Sequence, residues 1–319
     1  MLRFVQAFWT VLTAVVPVFL IIVAGWVMRR MDWLTEEADA SLLRMAIYLL
    51  MPCLILDSLI GSQALSNPAN VFLPPLVGFG TVTLGLAVAW MVQRWIPQRT
   101  ESTRRTFVYC VAVYNYGYVP LPLALGLFDR DTAAVLFVHN IGVELALWLY
   151  GLTYMAGRGF RDGWKRVLNP PVLSILAALV LNATVGREPI PEFLLHTIHW
   201  LGQCAVPMGV ILIGAIMADH SRDFVSRQGG RVMLWSVVLR LGILPVLFLL
   251  LARFLPAAVE LKRVILLQSA MPAAVFPIIV ARQYGGDPAT AVRVVLVTSL
   301  GGLITIPLWL QVGLSWLKL

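Results

Sequence analysis

Stretches of about 20 apolar residues, each long enough to cross a bilayer as a helix, recur along the whole chain with polar, arginine-bearing breaks between them. Water is not the solvent of such a chain. Hydropathy places helices over residues 9–28, 41–60, 71–92, 107–128, 133–155, 171–185, 198–217, 232–251, 264–281 and 291–310. Composition agrees, with 60% of the 319 residues hydrophobic and 13% charged, where an ordinary soluble domain has about 25% charged. The expected fold class is an all-α integral membrane protein of ten transmembrane helices, with no soluble domain left over.

The net charge of +8 does not point to nucleic acid, because the basic residues sit in short loops rather than in a patch interleaved with aromatics. Arg94, Arg99, Arg104 and Arg105 follow the third span, and Arg158, Arg161, Lys165 and Arg166 follow the fifth. The even-numbered loops are poorer: apart from Arg253, Lys262 and Arg263 they hold little more than Arg130 and Arg187. By the positive-inside rule the odd loops are cytoplasmic and both termini lie outside. A bacterial inner (plasma) membrane is the expected location. The first span, preceded by Arg3 and followed by Arg29 and Arg30, reads as a retained helix rather than a cleaved signal peptide. Cys53, Cys110 and Cys204, odd in number and inside apolar spans, fit neither a disulfide framework nor a metal site and read as small buried hydrophobes.

Landmark residues recur at one spacing. Pro17 and Pro171 are 154 residues apart, Pro52 and Pro207 155, Pro122 and Pro272 150, and Thr132-Ala133 and Thr290-Ala291 158. Two halves of five spans follow, over residues 1–156 and 167–319. Five is odd, so the second half enters the membrane from the opposite side. Inverted repeats of this kind recur in secondary transporters, whose sites lie near the midplane and are built from interrupted helices.

The fourth span carries Tyr114-Asn115-Tyr116-Gly117-Tyr118-Val119-Pro120-Leu121-Pro122, and the ninth carries Gln268-Ser269-Ala270-Met271-Pro272, with Pro277 beyond. Each proline removes a backbone donor and clashes with the preceding turn. The freed carbonyls survive in hydrocarbon only when buried in protein or lining a wet cavity. Two broken helices crossing at the midplane would aim half-helix N-termini, each partly positive, at one spot that favours an anion. The candidate substrate-binding residues are therefore Asn115, Gly117, Pro120, Pro122, Gln268 and Pro272, with Asn140 on the neighbouring span. A pair of kinked but continuous helices is the alternative that sequence leaves open.

These residues also carry a family resemblance. Asn115-Tyr116-Gly117 with Pro122, then Asn169-Pro170-Pro171, then Met271-Pro272 followed by Ala281-Arg282-Gln283-Tyr284-Gly285 resemble, in that order and over nearly the whole chain, the auxin efflux carrier family, whose bacterial members are often called malate permeases. The resemblance implies ten helices with both termini outside and two inverted five-helix repeats. It further implies that the spans of both repeats interleave into a scaffold domain and a transport domain, with helices 4 and 9 broken and crossing. Pro120 departs from the pattern, since the family's glycine is expected there.

A charge at the bilayer centre costs at least about 2.5–3.5 kcal/mol on insertion scales, so Glu144, central in the fifth span, needs a reason to be there. Asn140 lies one helical turn before it and Trp148 one turn after it, a stripe that should face the protein interior. Its counterpart in the tenth span is Thr298, Gly302 and Thr305. Two roles are open for Glu144: binding a coupling proton or cation, or holding the discontinuous fourth helix by hydrogen bonds. Asp57 is a second coupling candidate, although it lies near a span end. Arg44 and Arg240 can snorkel, and Arg240, nearer mid-span, has the option of an acid partner. His196 and His199 read as interfacial.

The function expected from breaks, repeat and resemblance together is secondary active transport of a small organic anion such as a carboxylate. A cation/proton exchanger is the alternative, though it would favour paired intramembrane acids. A membrane-embedded enzyme would need metal-spaced histidines or paired acids at one face, and neither is present in the sequence. There is no Gly-Lys-Ser/Thr nucleotide loop. The expected partners are the anion, the lipid bilayer, a coupling proton or sodium ion, and a second copy of the chain joined through the scaffold domain. No cofactor, metal or nucleic acid is expected.

Overall fold

The computed structural model describes residues 2–95, 100–155, 167–219 and 229–319. Arg99, Arg158, Arg161, Lys165 and Arg166, from which much of the topology reading came, lie outside the described residues. Twelve helices account for the described fold: α1 (Leu2–Arg30), α2 (Glu36–Leu59), α3 (Ala69–Val92), α4 (Glu101–Ala112), α5 (Pro120–Leu127), α6 (Arg130–Tyr150), α7 (Pro170–Thr184), α8 (Glu192–Asp219), α9 (Gly230–Phe254), α10 (Val259–Ala270), α11 (Phe276–Gln283) and α12 (Pro288–Leu317). Among the described residues there is no β-strand, only one isolated bridge. Among the described residues, seven helical stretches are long and apolar enough to cross a membrane: Val11–Arg30, Glu36–Leu59, Ala69–Trp95, Arg130–Met155, Glu192–Asp219, Gly230–Phe254 and Pro288–Leu317. Helix α7 is also apolar, but its 15 residues rise only about 22 Å.

Polar side chains cap four of the helices that begin in loops. Thr100 accepts from the Thr103 amide at α4, Asp129 from Thr132 at α6, Asn169 from Val172 at α7 and Asp287 from Ala289 and Thr290 at α12. Each satisfies a donor that the first turn leaves orphaned. Helices α5 and α11 start differently. They have no side-chain cap and carry Pro120 and Pro277 in the first turn, where a missing N–H costs nothing and the fixed φ suits the helix. Pro120, the departure from the family pattern, thus sits where proline is well tolerated. Proline has another effect inside α2 and α9, where π-turns at Ala46–Leu50 and Val238–Ile243 precede Pro52 and Pro245 and widen the helix around the missing donor.

Small residues set the helix packing, as they do where lipid gives apolar faces no reason to associate. A Cβ on Gly142 of α6 would overlap the carbonyl oxygen of Pro75 on α3, and one on Gly214 of α8 would overlap that of Ile22 on α1. Both glycines therefore allow backbone-to-backbone contact. Helices α1, α2, α7 and α8 pack chiefly on one another, and α3 to α6 and α9 to α12 on one another. Each group draws helices from both halves of the chain. Within the first group Arg29 binds Asp39 at 2.6 Å and Asp219 at 3.2 Å, tying together the ends of α1, α2 and α8. Between the groups, Arg130 at the start of α6 pairs with Asp57 on α2 at 3.1 Å, and Ser62 donates to Asp131 at 2.5 Å.

Of the three cysteines Cys110 is buried, Cys53 is half-buried and Cys204 is exposed. The reading of all three as buried hydrophobes holds for Cys110 alone.

Candidate functional site

Between α4 and α5 the chain leaves the helix at Val113, and between α10 and α11 it does so at Met271, both with extended backbone. The two irregular stretches meet. Tyr114 and Ala273 form an antiparallel bridge, in which the Asn115 amide donates to the Pro272 carbonyl at 2.8 Å and the Ala274 amide to the Val113 carbonyl at 2.9 Å. Backbone groups that lose helical partners amid apolar helices need replacements, and the neighbouring helices supply them. Asn140 on α6 and Gln268 on α10 both donate to the Tyr116 carbonyl, at 2.9 and 3.2 Å, while the Thr298 hydroxyl on α12 accepts from the Ala273 amide at 3.2 Å. Asn140 and Thr298 occupy corresponding places in the two halves. One serves a carbonyl of the first break and the other an amide of the second.

Beside this pairing lies a cavity of about 280 Å³, near the lower end of the roughly 300–1,000 Å³ usual for small-ligand sites. Its walls come from both groups of helices. The first group gives residues such as Ile55 of α2, Pro171 of α7 and Ile213 of α8, and the second gives residues 115–118, the Asn140–Glu144–Trp148 face of α6, and Phe276. Trp148 and Phe276 meet edge to face, with ring centroids 5.3 Å apart. Glu144 is half-buried and contributes the single carboxylate, with no lysine, arginine or histidine beside it among the lining residues. Three donors hold it: the Tyr116 hydroxyl at 2.6 Å, the Trp148 indole at 3.1 Å and the Asn169 amide at 3.1 Å. Asn169 does two jobs, since its oxygen caps α7 while its nitrogen reaches Glu144.

Asn115, Gly117, Asn140 and Glu144 thus come together on the cavity wall. Pro120 and Pro122 lie in the first turn of α5 and do not line it, and Gln268 is fully buried behind the Tyr116 carbonyl. Pro272 takes part through its carbonyl. Asp57 is absent from the cavity lining and sits between Arg130 and His199, each at 3.1 Å. Arg240 is fully buried, and its acceptors are main-chain carbonyls rather than an acid. Sequence reasoning did not select Tyr116, Tyr118 and Asn169 as site residues. For Asn169 the signal was present, because an asparagine before two prolines is a helix-start pattern that fixes where its amide points.

At the polar end of α6, partial burial pushes the Asp129 carboxyl up. Hydrogen bonds from the Thr132 amide and hydroxyl, with the Arg263 guanidinium at 2.7 Å, outweigh that and hold it below the ordinary carboxylate range.

Residues 10–161, and a second time residues 159–310, match the family described as membrane transport protein. The chain belongs to this family, the auxin efflux carrier-like transporters. It is therefore an integral membrane protein that carries two copies of one domain. It is similar to an uncharacterized transporter of Methanothermobacter thermautotrophicus, with 24% identity over 305 residues that cover 92% of this chain and 96% of the relative. A second uncharacterized transporter, from Methanocaldococcus jannaschii, is 22% identical over 304 residues, with coverage of 92% and 96%. Membership of a transporter family points away from an enzyme.

Proposed function

We propose that the chain is a secondary active transporter that carries a small organic anion, a carboxylate foremost, by alternating access around the cavity beside the paired breaks. The observation that carries this reading is the place of the cavity, between two helix groups that each draw on both repeats. In this reading α4–α5 and α10–α11 are each one interrupted span, and α7 is a short one. The count is then ten, and spans 4 and 9 cross at the Tyr114–Ala273 pairing. The second repeat is inverted, both termini lie outside a bacterial inner membrane, and the loop before Arg104 is cytoplasmic. Helices α1, α2, α7 and α8 act as the scaffold, through which two copies associate. The remaining helices rock against them and expose the cavity to each side in turn.

Asn115 brings a side-chain amide to the substrate carboxylate and Gly117 gives it room to approach the backbone. Asn140, Gln268 and Pro272 hold the pairing, and Pro120 and Pro122 start the half-helix whose positive end faces it. The solitary Glu144 sets a condition on this site. Two unit negative charges about 5 Å apart at an effective dielectric of about 20 repel by about 3 kcal/mol, roughly a hundredfold in affinity. An anion therefore binds well only when Glu144 has taken up a proton or a cation, which makes coupling a consequence of the site. The same lone carboxylate favours the second reading, a cation/proton exchanger in which Glu144 is the ion site and no anion binds.

Uptake of labelled carboxylates into proteoliposomes, with imposed pH and sodium gradients applied separately, tests the proposal. Gradient-driven accumulation of a carboxylate supports it. Exchange of protons for metal cations, with no carboxylate movement, would replace it with the second reading.

A further inference from the structure

One strongly built group has no part in the transport scheme above. Arg240 lies in the π-turn of α9, fully buried and outside the cavity lining. A guanidinium in a membrane-spanning helix is costly unless its charge and donors are compensated. Among the described residues it has no carboxylate within ion-pair distance. Its Nε donates to the Met271 carbonyl at 2.8 Å, and one terminal nitrogen donates to the carbonyls of Gln268 at 3.0 Å and Ser269 at 3.5 Å. These carbonyls belong to the last turn of α10 and the residue after it, acceptors that lose their usual next-turn donors at a helix C-terminus; of the three, the Gln268 carbonyl also takes the Met271 amide at 3.3 Å. They also form the negative end of the helix dipole. In an unbroken helix the next turn would satisfy them, but here the chain turns extended at Met271.

The same cation touches the other break. Its guanidinium carbon lies 4.9 Å from the ring centroid of Tyr114, the residue that pairs with Ala273, and 5.3 Å from that of Phe248. The Tyr114 hydroxyl is anchored on Thr81 of α3 at 2.7 Å. Arg240 therefore grips carbonyls of the second interrupted stretch and an aromatic face of the first. Beyond it, Gln268 donates to the Tyr116 carbonyl and the Tyr116 hydroxyl donates to Glu144. A line of direct contacts thus runs from Arg240 to the carboxylate in the cavity.

We infer that Arg240 is a positioning residue, an internal cap for the half-helix α10 that keeps the two interrupted stretches paired and so fixes the Tyr116 end of the cavity wall. The inference rests on the transporter reading for its functional meaning and on the hydrogen bonds alone for its structural meaning. Arginine suits the task because its planar fork of donors reaches several carbonyls at once and stacks on a ring. Lysine offers a point charge on a flexible stem.

The test compares wild type with Arg240→Lys and Arg240→Met by hydrogen exchange in detergent and by substrate titration in proteoliposomes. The amides of Asn115 and Ala274 report the pairing directly. Exchange in peptides covering residues 113–119 and 271–276 is expected to rise at least tenfold in Arg240→Lys and further in Arg240→Met, with α1 and α8 unchanged. The apparent KM of Arg240→Lys is expected to rise about tenfold, with a smaller change in maximal rate. Should Arg240→Met fail to insert, Arg240→Lys carries the test by itself. Exchange in both stretches equal to wild type, or protection lost evenly across all helices, would overturn the inference. If wild type moves no carboxylate, the transport reading fails, while the local exchange contrast still decides the capping role.

Discussion

Replacing Glu144 by glutamine separates the two roles that a carboxylate on the cavity wall can have. The carboxylate accepts from Tyr116 on one oxygen and from Trp148 and Asn169 on the other. In Glu144→Gln the amide oxygen keeps the Trp148 and Asn169 donors, and the amide nitrogen faces the Tyr116 hydroxyl, which can turn to accept. The three contacts are kept, with the Tyr116 proton and the second amide hydrogen turned toward the cavity, and the expected stability change is within about 1 kcal/mol. Glu144→Ala instead strands three donors, each at a cost of about 1–3 kcal/mol, so several kcal/mol are lost and expression should fall. The functional effect of glutamine is expected to be specific. Carboxylate binding becomes independent of pH, because no negative charge is left to neutralise, and pH-driven accumulation disappears while downhill exchange continues. Thermal unfolding of purified variants checks the first pair of statements, and proteoliposome uptake with acid outside checks the second. Undiminished pH-driven accumulation by Glu144→Gln would refute the coupling argument, and equal instability of the two variants would refute the hydrogen-bond argument.

Asn115→Ala is expected to weaken substrate binding about ten- to hundredfold, the range set by one charge-assisted hydrogen bond of roughly 1.5–3 kcal/mol, with membrane insertion preserved; equilibrium binding measures it. Gly142→Leu forces α6 off the Pro75 carbonyl of α3 and should destabilise by about 1–3 kcal/mol or more, read as a lower unfolding temperature. Asp129→Asn keeps a good helix cap and removes the half-exposed pair with Arg263, a loss of about 0.2–1 kcal/mol. Because folding lowers the Asp129 carboxyl's pKa, its contribution is present above the ordinary carboxylate range near pH 4. It is lost as pH falls through the lowered value, so an unfolding series across that window should be flatter for the variant.

Hydropathy made the long helices readable, but their ends only loosely. Residues 198–217 were the expected seventh span, and the helix runs over Glu192–Asp219, because apolar windows mark the lipid core while backbone hydrogen bonding continues into the polar ends. Concentrated prolines and glycine marked where the fourth span leaves the helix, since those residues act through their own backbones. The stripe Asn140–Glu144–Trp148 was legible from one-turn spacing. Side chains that answer to main-chain groups were not. Nothing in the residues near Arg240 announces that its acceptors are carbonyls at Gln268, Ser269 and Met271, because an orphaned carbonyl has no letter in a sequence. The same holds for Asp57, whose partners Arg130 and His199 lie 73 and 142 residues away. The cavity wall built by α2, α7 and α8 depends on how the two repeats interleave, which no local pattern encodes.

The claim that transport runs through the cavity between the two helix groups is tested most directly by substrate protection of a single cysteine there. With Cys53, Cys110 and Cys204 replaced, Ile213→Cys on α8 places one thiol on the cavity wall. In proteoliposomes, a transported carboxylate should slow its reaction with a small thiol reagent at least severalfold, and completed reaction should abolish uptake. Rapid labelling unaffected by substrate, with uptake unchanged after modification, would contradict the account.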